Sequence, residues 1–416
     1  MGVGAMVGGG IFSVLGLAIG QAGHAAPVAF ALGGVIALLT GLSYASLGLT
    51  YRSDGGSFTY LERAFASPNI AGLGGWLLLV GYIGTMGLYA YTFGVYGAAL
   101  LGSEAMPAMH HLLESLVLLV FLSINLYGVK ETGMAELIIV TAKVLILALF
   151  AIIGLTTVQA DHLLPLFDKG VGGVLMGAAL IFVAYEGFEL IPNSVNEMKD
   201  PGRNLRRGIF LSVIITIAIY ILVALVAVGN LAPEEIARYG EYALAEAARP
   251  FLGQAGFILI GVAALFSTSS AINATLFGTA RLGVEMAQAK ELPAVFSLRR
   301  RQNNIPWASL LIITGITLLF VNAADLTIIS SFSSSTFLMI FFAINLSAWR
   351  LRREIGIRPF WPALAMLLTA LSWLVLLAWL WQKDVKSLYW IGGFYLAVVV
   401  AELLFSQRRL VFRGKT

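Results

Sequence analysis

Stretch after stretch of this chain runs for about 20 residues through apolar side chains almost without charge, the length a helix needs to cross the ~30 Å hydrocarbon core of a bilayer. Backbone polar groups find no water in that core, so each stretch is expected to satisfy them internally as an α-helix. Twelve stretches fit, at about 2–20, 27–51, 71–101, 112–128, 134–157, 172–195, 208–231, 253–280, 306–322, 327–349, 361–381 and 389–405. The longest, 71–101 and 253–280, require tilt or extension past the bilayer. Charged residues make up only 12% of the 416, against roughly 25% in an average soluble domain, and mean hydropathy is +0.89. So few charges cannot keep a surface in water. The expected class is an all-α integral membrane protein with twelve transmembrane helices and no separate soluble domain.

Orientation follows from the 26 Lys and Arg residues. With the N-terminus inside, the inward loops hold 20 of them; the outward loops hold Lys169, Arg238, Arg249, Lys383 and Lys386, and Lys143 alone lies within a span. That imbalance is the positive-inside pattern, so both termini are expected in the cytoplasm and the protein in the cell membrane. The net charge of +4 is then a topology signal and no mark of nucleic acid binding. The first run lacks the basic leader of a cleavable signal peptide; it begins at Met1, leaving a short cytoplasmic half.

The absence of cysteine excludes disulfides, thiolate catalysis, iron–sulfur clusters and Cys-based zinc sites. The four histidines, His24, His110, His111 and His162, fall in polar breaks between the runs. An embedded enzyme needs a His–carboxylate set, an HExxH helix or a nucleophile with its base, and the spans hold none. No enzyme, metal or cofactor is expected.

Two runs resist being continuous helices. The first reads Gly2-Val3-Gly4-Ala5-Met6-Val7-Gly8-Gly9-Gly10-Ile11-Phe12, and each interior glycine costs roughly 1 kcal/mol relative to alanine. Broken backbone is tolerated at this depth only against a cavity or buried protein. Close packing of Gly4 and Gly8, spaced by four, is the other reading, although a contiguous triplet fits it less well. The sixth run carries Phe182-Val183-Ala184-Tyr185-Glu186-Gly187-Phe188-Glu189, with two carboxylates inside apolar sequence, and buried acids of this kind face a cavity or a partner. Runs one and six hold matching places in two groups of five, the pattern of an inverted-repeat transporter. The expected units are therefore 1–157 and 172–349, with 361–405 added as two accessory helices.

These residues resemble a known family. The glycine break followed by Ile11-Phe12 is similar to the first helix of the amino acid–polyamine–organocation superfamily, and Ala184 to Glu189 to its sixth. The loop Glu197-Met198-Lys199-Asp200-Pro201-Gly202-Arg203-Asn204 resembles that family's acidic-x-x-Asn/Asp-Pro-x-Arg-Asn segment, and Ala280-Arg281 through Met286-Ala287, Leu292-Pro293 and Ile305-Pro306 follow another of its patterns. The chain departs at Arg206, where relatives often have proline, and before Gly2, where they carry about ten further residues.

The resemblance implies a LeuT-type fold, with helices 1 and 6 discontinuous, and proton-coupled amino acid transport by alternating access. An exchanger on the same fold, or a non-transporting nutrient sensor, are the alternatives; the tail of about ten residues after the last run is short for a sensor. Amides near Gly8, Gly9 and Gly10, at a half-helix N-terminus, suit a substrate carboxylate. Carbonyls around Met6, Val7, Val183 and Ala184 suit an ammonium group, with Tyr185, Glu186 and Gly187 completing the second break; Glu186 either contacts substrate or exchanges a proton, or else faces the scaffold, protonated or bonded to broken backbone. Tyr82 and Thr85 either close the pocket wall or simply pack. Glu189 matches a recurring family glutamate credited with cytoplasmic gating, or is satisfied by nearby backbone. The pocket side chains are small or apolar apart from Glu186, which favours neutral amino acids and leaves cationic ones open.

Lys143 lies about ten residues past a cytoplasmic loop, some 15 Å deep, while its stem reaches only about 6 Å towards water. Proton-coupled relatives place a lysine here, its amine standing where sodium-coupled relatives hold an ion. Gly4 and Ala5 carbonyls, with Ser269 or Ser270, are its expected partners. Removing an ammonium from water disfavours its charged form, so opening and closing can gate the proton. A permanently charged lysine tying run five to run one is the competing reading.

Overall fold

The computed structural model describes residues 2–405 apart from 54, 66–67, 104–105, 129–132, 233–234, 237–238 and 301–303. The orientation argument's Lys130, Arg238, Arg301 and residues 406–416 lie outside the described residues. Most of the described residues are helical, and none of them forms a strand. In chain order the helices are α1 (Gly2–Met6), α2 (Gly10–Ala22), α3 (Ala26–Thr50), α4 (Gly56–Ala64), α5 (Pro68–Leu100), α6 (Pro107–Tyr127), α7 (Gly133–Leu155) and α8 (Gly170–Leu180). There follow α9 (Pro201–Asn230), α10 (Ala243–Ala247), α11 (Arg249–Gln288), α12 (Trp307–Ala323), α13 (Leu326–Arg350), α14 (Phe360–Lys383) and α15 (Val385–Phe405).

Nine helices among the described residues are long and apolar enough to cross a membrane, or ten when α8 and the bent segment after it count as one. This differs from twelve runs for two local reasons. Residues Gly10–Thr50 form one 41-residue stretch, in which α2 meets α3 through a 3-10 turn at Gly23–Ala25. Gly23 takes φ +59° there, and Pro27 opens α3. The ninth run is a helix of only 17 residues, α12.

Burial separates an inner set of helices from a lipid-facing set. In its most apolar window α13 is 78% buried, whereas α15 is 17% buried. On α15 and its neighbour α14, Leu367, Tyr389 and Leu396 are exposed apolar side chains, suited to hydrocarbon. Inside, α5 packs on α11 and α13, and α3 on α9. Glycines allow the closest approaches, as small residues do between membrane helices: a Cβ on Gly34 would run into the Ile217 side chain, and one on Gly16 into the Gly240 carbonyl. Through this second contact the segment after α9 sits directly on α2.

Gly16→Val is expected to lower stability by about 1–3 kcal/mol, since the obstruction is backbone. Gly20→Ala, with nothing within 4 Å of the added methyl, is expected to be neutral or to stabilise by up to about 1 kcal/mol. Thermal unfolding of the two purified variants in detergent checks the pair.

Candidate functional site

The first break begins where α1 ends at Met6; Val7, Gly8 and Gly9 form a turn before α2 starts at Gly10. The Gly8 amide donates to the Ala5 carbonyl at 3.0 Å, so it does not close a regular turn onto Gly4. Three side chains from three other helices meet the carbonyls freed here. Lys143 Nζ on α7 donates to Gly4 at 2.7 Å, the Tyr220 hydroxyl on α9 to Met6 at 2.6 Å, and Ser267 Oγ on α11 to Val7 at 2.7 Å. All three side chains are buried. The Gly9 and Gly10 amides donate to no acceptor among the described residues, and they stand at the N-terminus of α2, where the dipole presents positive partial charge.

The second break follows α8. A 3-10 turn at Phe182–Tyr185 and a 3-10 helix at Phe188–Glu197 continue the chain after a 49° bend. The Leu180 carbonyl accepts from Ser330 Oγ at 3.0 Å and Ser334 Oγ at 2.6 Å, and the Val183 amide donates to Ser334 Oγ at 3.0 Å. The Tyr185 hydroxyl donates to the Phe30 carbonyl at 2.6 Å. Between the two 3-10 pieces Gly187 takes φ +124°, a conformation that L side chains rarely adopt.

The two breaks cross in contact. A Cβ on Gly187 would stand 2.6 Å from the Ala5 Cβ and 2.9 Å from the Met6 amide. One on Gly10 would stand 2.8 Å from both Ala184 Cα and the Tyr220 hydroxyl. That hydroxyl also lies 2.9 Å from the Ala184 carbonyl, so its single hydrogen is shared between carbonyls of both breaks.

Both acids are buried. The Tyr89 hydroxyl donates to Glu186 Oε2 at 3.2 Å, and the Tyr89 ring occupies the place of a side chain on Gly9. Glu189 Oε2 accepts from the Gly187 amide at 2.7 Å, while its Oε1 has no hydrogen-bond partner among the described residues. Thr85 donates to its own helix at the Gly81 carbonyl, 3.1 Å away, and Tyr82 meets the Phe337 ring edge-on at 5.6 Å between centroids. Among the described residues no group of three or more His, Asp or Glu gathers to hold a metal.

Most of the residues singled out from the sequence therefore come together: Met6 to Gly10, Val183 to Gly187, Glu189 and Lys143. Two features differ from expectation. The Met6 and Val7 carbonyls are not open but already accept from Tyr220 and Ser267, although a carbonyl has two lone pairs and can take a second donor. Ser269 and Ser270 are only half-buried. Ser267 makes the bond to the break instead, because it shares a face with Ala271, four residues on, whose Cβ lies against Gly8. Tyr89 and Tyr220 escaped sequence reasoning altogether; a lone tyrosine in Ile219-Tyr220-Ile221 was the available signal for the second.

Comparison with known proteins places this geometry in context. The family model described as amino acid permease matches residues 1–401. The uncharacterized protein MJ0609 of Methanocaldococcus jannaschii is 33% identical over 98% of this chain and 93% of its own length. The inner membrane transport protein YbaT of Escherichia coli is 30% identical over 99% of this chain and 95% of its own. The serine/threonine exchanger SteT of Bacillus subtilis is 28% identical over 88% of this chain and 86% of its own.

Tyr220→Phe removes the hydrogen shared by two buried carbonyls. Leaving such a group unsatisfied costs about 1–3 kcal/mol, so the variant is expected to unfold at lower temperature than the parent in the same detergent, as calorimetry or a tryptophan-fluorescence melt would register.

Proposed function

The chain belongs to the amino acid permease family, and we propose that it carries amino acids across the cell membrane by alternating access, in symport with protons. The crossing of the two breaks is the observation that supports this most. Donating amides at Gly9 and Gly10 stand close to the accepting carbonyls of Met6 and Ala184, all in buried backbone. A zwitterion needs that pairing, an anion site and an ammonium site a few ångströms apart, and it uses no protein charge. Val7, Gly8, Val183, Tyr185, Glu186 and Gly187 complete the backbone cradle, with Tyr82 and Thr85 on its α5 wall.

Residues 1–157 and 172–349 serve as the two inverted repeats and 361–405 as accessory helices, with both termini cytoplasmic. Glu189, with one carboxylate oxygen free of hydrogen bonds among the described residues, gates the cytoplasmic side. Lys143 carries the proton. Charged, it holds the Gly4 carbonyl and so fixes the first half of the broken helix; neutral, it holds it less firmly, since a hydrogen bond from a charged donor is roughly twice as strong. Ser267 caps the same turn, and Ser269 and Ser270 lie beside it on α11. The exchanger reading draws support from SteT, whose name describes serine/threonine exchange; an exchanger would move substrate only against substrate on the opposite side.

Gly9→Leu should abolish amino acid binding by displacing the Tyr89 ring beside the carboxylate site, and Gly10→Leu, which meets the Ala184 backbone, should abolish binding and also lower the unfolding temperature; equilibrium binding of a radiolabelled panel reads this, and unchanged affinity in both variants sinks the proposal. Lys143→Ala should erase the rise of uptake with falling external pH while sparing binding or exchange. Proteoliposomes with proton and sodium gradients imposed separately provide the check. Dependence on sodium alone, or accumulation by the alanine variant on a proton gradient, would contradict the role of Lys143.

A further inference from the structure

Tyr89 touches both breaks at once. Its ring fills the space beside Gly9, and its hydroxyl donates to the Glu186 carboxylate. Thr85, one turn earlier on α5, is the second hydroxyl beside that carboxylate. Glu186 thus stands on the α5 side of the crossing, next to the glycine whose amide is offered to a substrate carboxylate.

Its chemistry is unbalanced. An ionised carboxylate has about four lone-pair positions, and the Tyr89 hydroxyl fills one. No Lys, Arg or His forms an ion pair with it among the described residues, and Lys143 is engaged at Gly4. A carboxylate at this depth costs several kcal/mol unless donors or a counter-charge answer it. An amino acid held by its carboxylate at Gly9 and Gly10 would have the Tyr89 ring beside it, with the Glu186 carboxylate at the hydroxyl end of that ring.

Resting on the transport reading above, we propose that Glu186 is the specificity residue for the substrate side chain and selects amino acids whose side chain carries a hydrogen-bond donor, a hydroxyl or an ammonium group. Apolar side chains of the same size leave the carboxylate with the Tyr89 hydroxyl alone, since Thr85 gives its hydrogen to Gly81. A site built to bond a polar group rejects the analogue lacking it far more strongly than an apolar pocket distinguishes one methylene. Glu186 therefore prefers the donor-bearing member of any matched pair.

The test is equilibrium binding to the purified full-length chain with three matched pairs: L-serine with L-alanine, L-threonine with L-valine, and L-ornithine with L-norleucine. In the parent the donor-bearing member of at least one pair should bind about tenfold or more tighter. Glu186→Leu should bring that ratio to within about twofold while still binding the apolar member, and Tyr89→Phe should lower it part of the way. Glu186→Gln, nearly the same shape, is the second variant should the leucine chain fail to fold: it is expected to lose an ornithine preference and to retain much of a serine or threonine preference. Equal binding within every pair in the parent overturns the proposal, as does a preference that survives both substitutions at Glu186. A parent chain that binds no amino acid would instead remove the transport reading on which the proposal rests.

Discussion

A carbonyl released from a helix inside a bilayer has no water to turn to, and leaving it unsatisfied costs about as much as any single interaction in the protein contributes. Much of the interior answers that constraint. Gly4, Met6 and Val7 lose their helical donors at the first break, and Lys143, Tyr220 and Ser267 replace them from α7, α9 and α11. Leu180 loses its donor at the second, and Ser330 and Ser334 replace it from α13. Five side chains on four helices thus converge on two short stretches of broken backbone, and the glycines at 10 and 187 let the stretches approach until they touch.

This arrangement gives the site its polarity without a fixed pair of opposite charges. Carbonyls point outward from the end of α1 and amides from the start of α2, so one unwound turn supplies acceptors and donors together. The basic side chain bonded to it among the described residues, Lys143, is tied to the carbonyl of Gly4 and not to a carboxylate. A change in its protonation therefore acts on the backbone of α1 directly. Glu186 and Glu189 lie on the other break, each held through one oxygen, by a tyrosine hydroxyl and by a backbone amide respectively.

The breaks themselves were legible in the sequence because glycine triplets and intramembrane carboxylates are costly and therefore informative. Lys143 was legible for the same reason, and its Gly4 partner followed from depth and from the family resemblance. The helical class was fixed by apolar length alone. What stayed hidden was which ordinary polar side chain reaches which carbonyl. Ser267 and Ser269 are two residues apart in one serine-rich tract, and only the rotation of α11 against the first break turns Ser267 inward and leaves Ser269 half-buried. Tyr89 and Tyr220 sit in apolar helices where a tyrosine is as compatible with packing as with hydrogen bonding. Helix ends near Gly23 and in α12 fall within about two residues of the runs read from the sequence.

The measurement that bears most directly on the account is an experimental structure of the full chain with a transported amino acid bound. The account predicts the substrate carboxylate within hydrogen-bond distance of the Gly9 or Gly10 amide and its ammonium group against carbonyls of the crossing breaks, with residues 7–9 out of the helix. An amino acid bound elsewhere, or a first helix running unbroken through Gly8, Gly9 and Gly10, would contradict it.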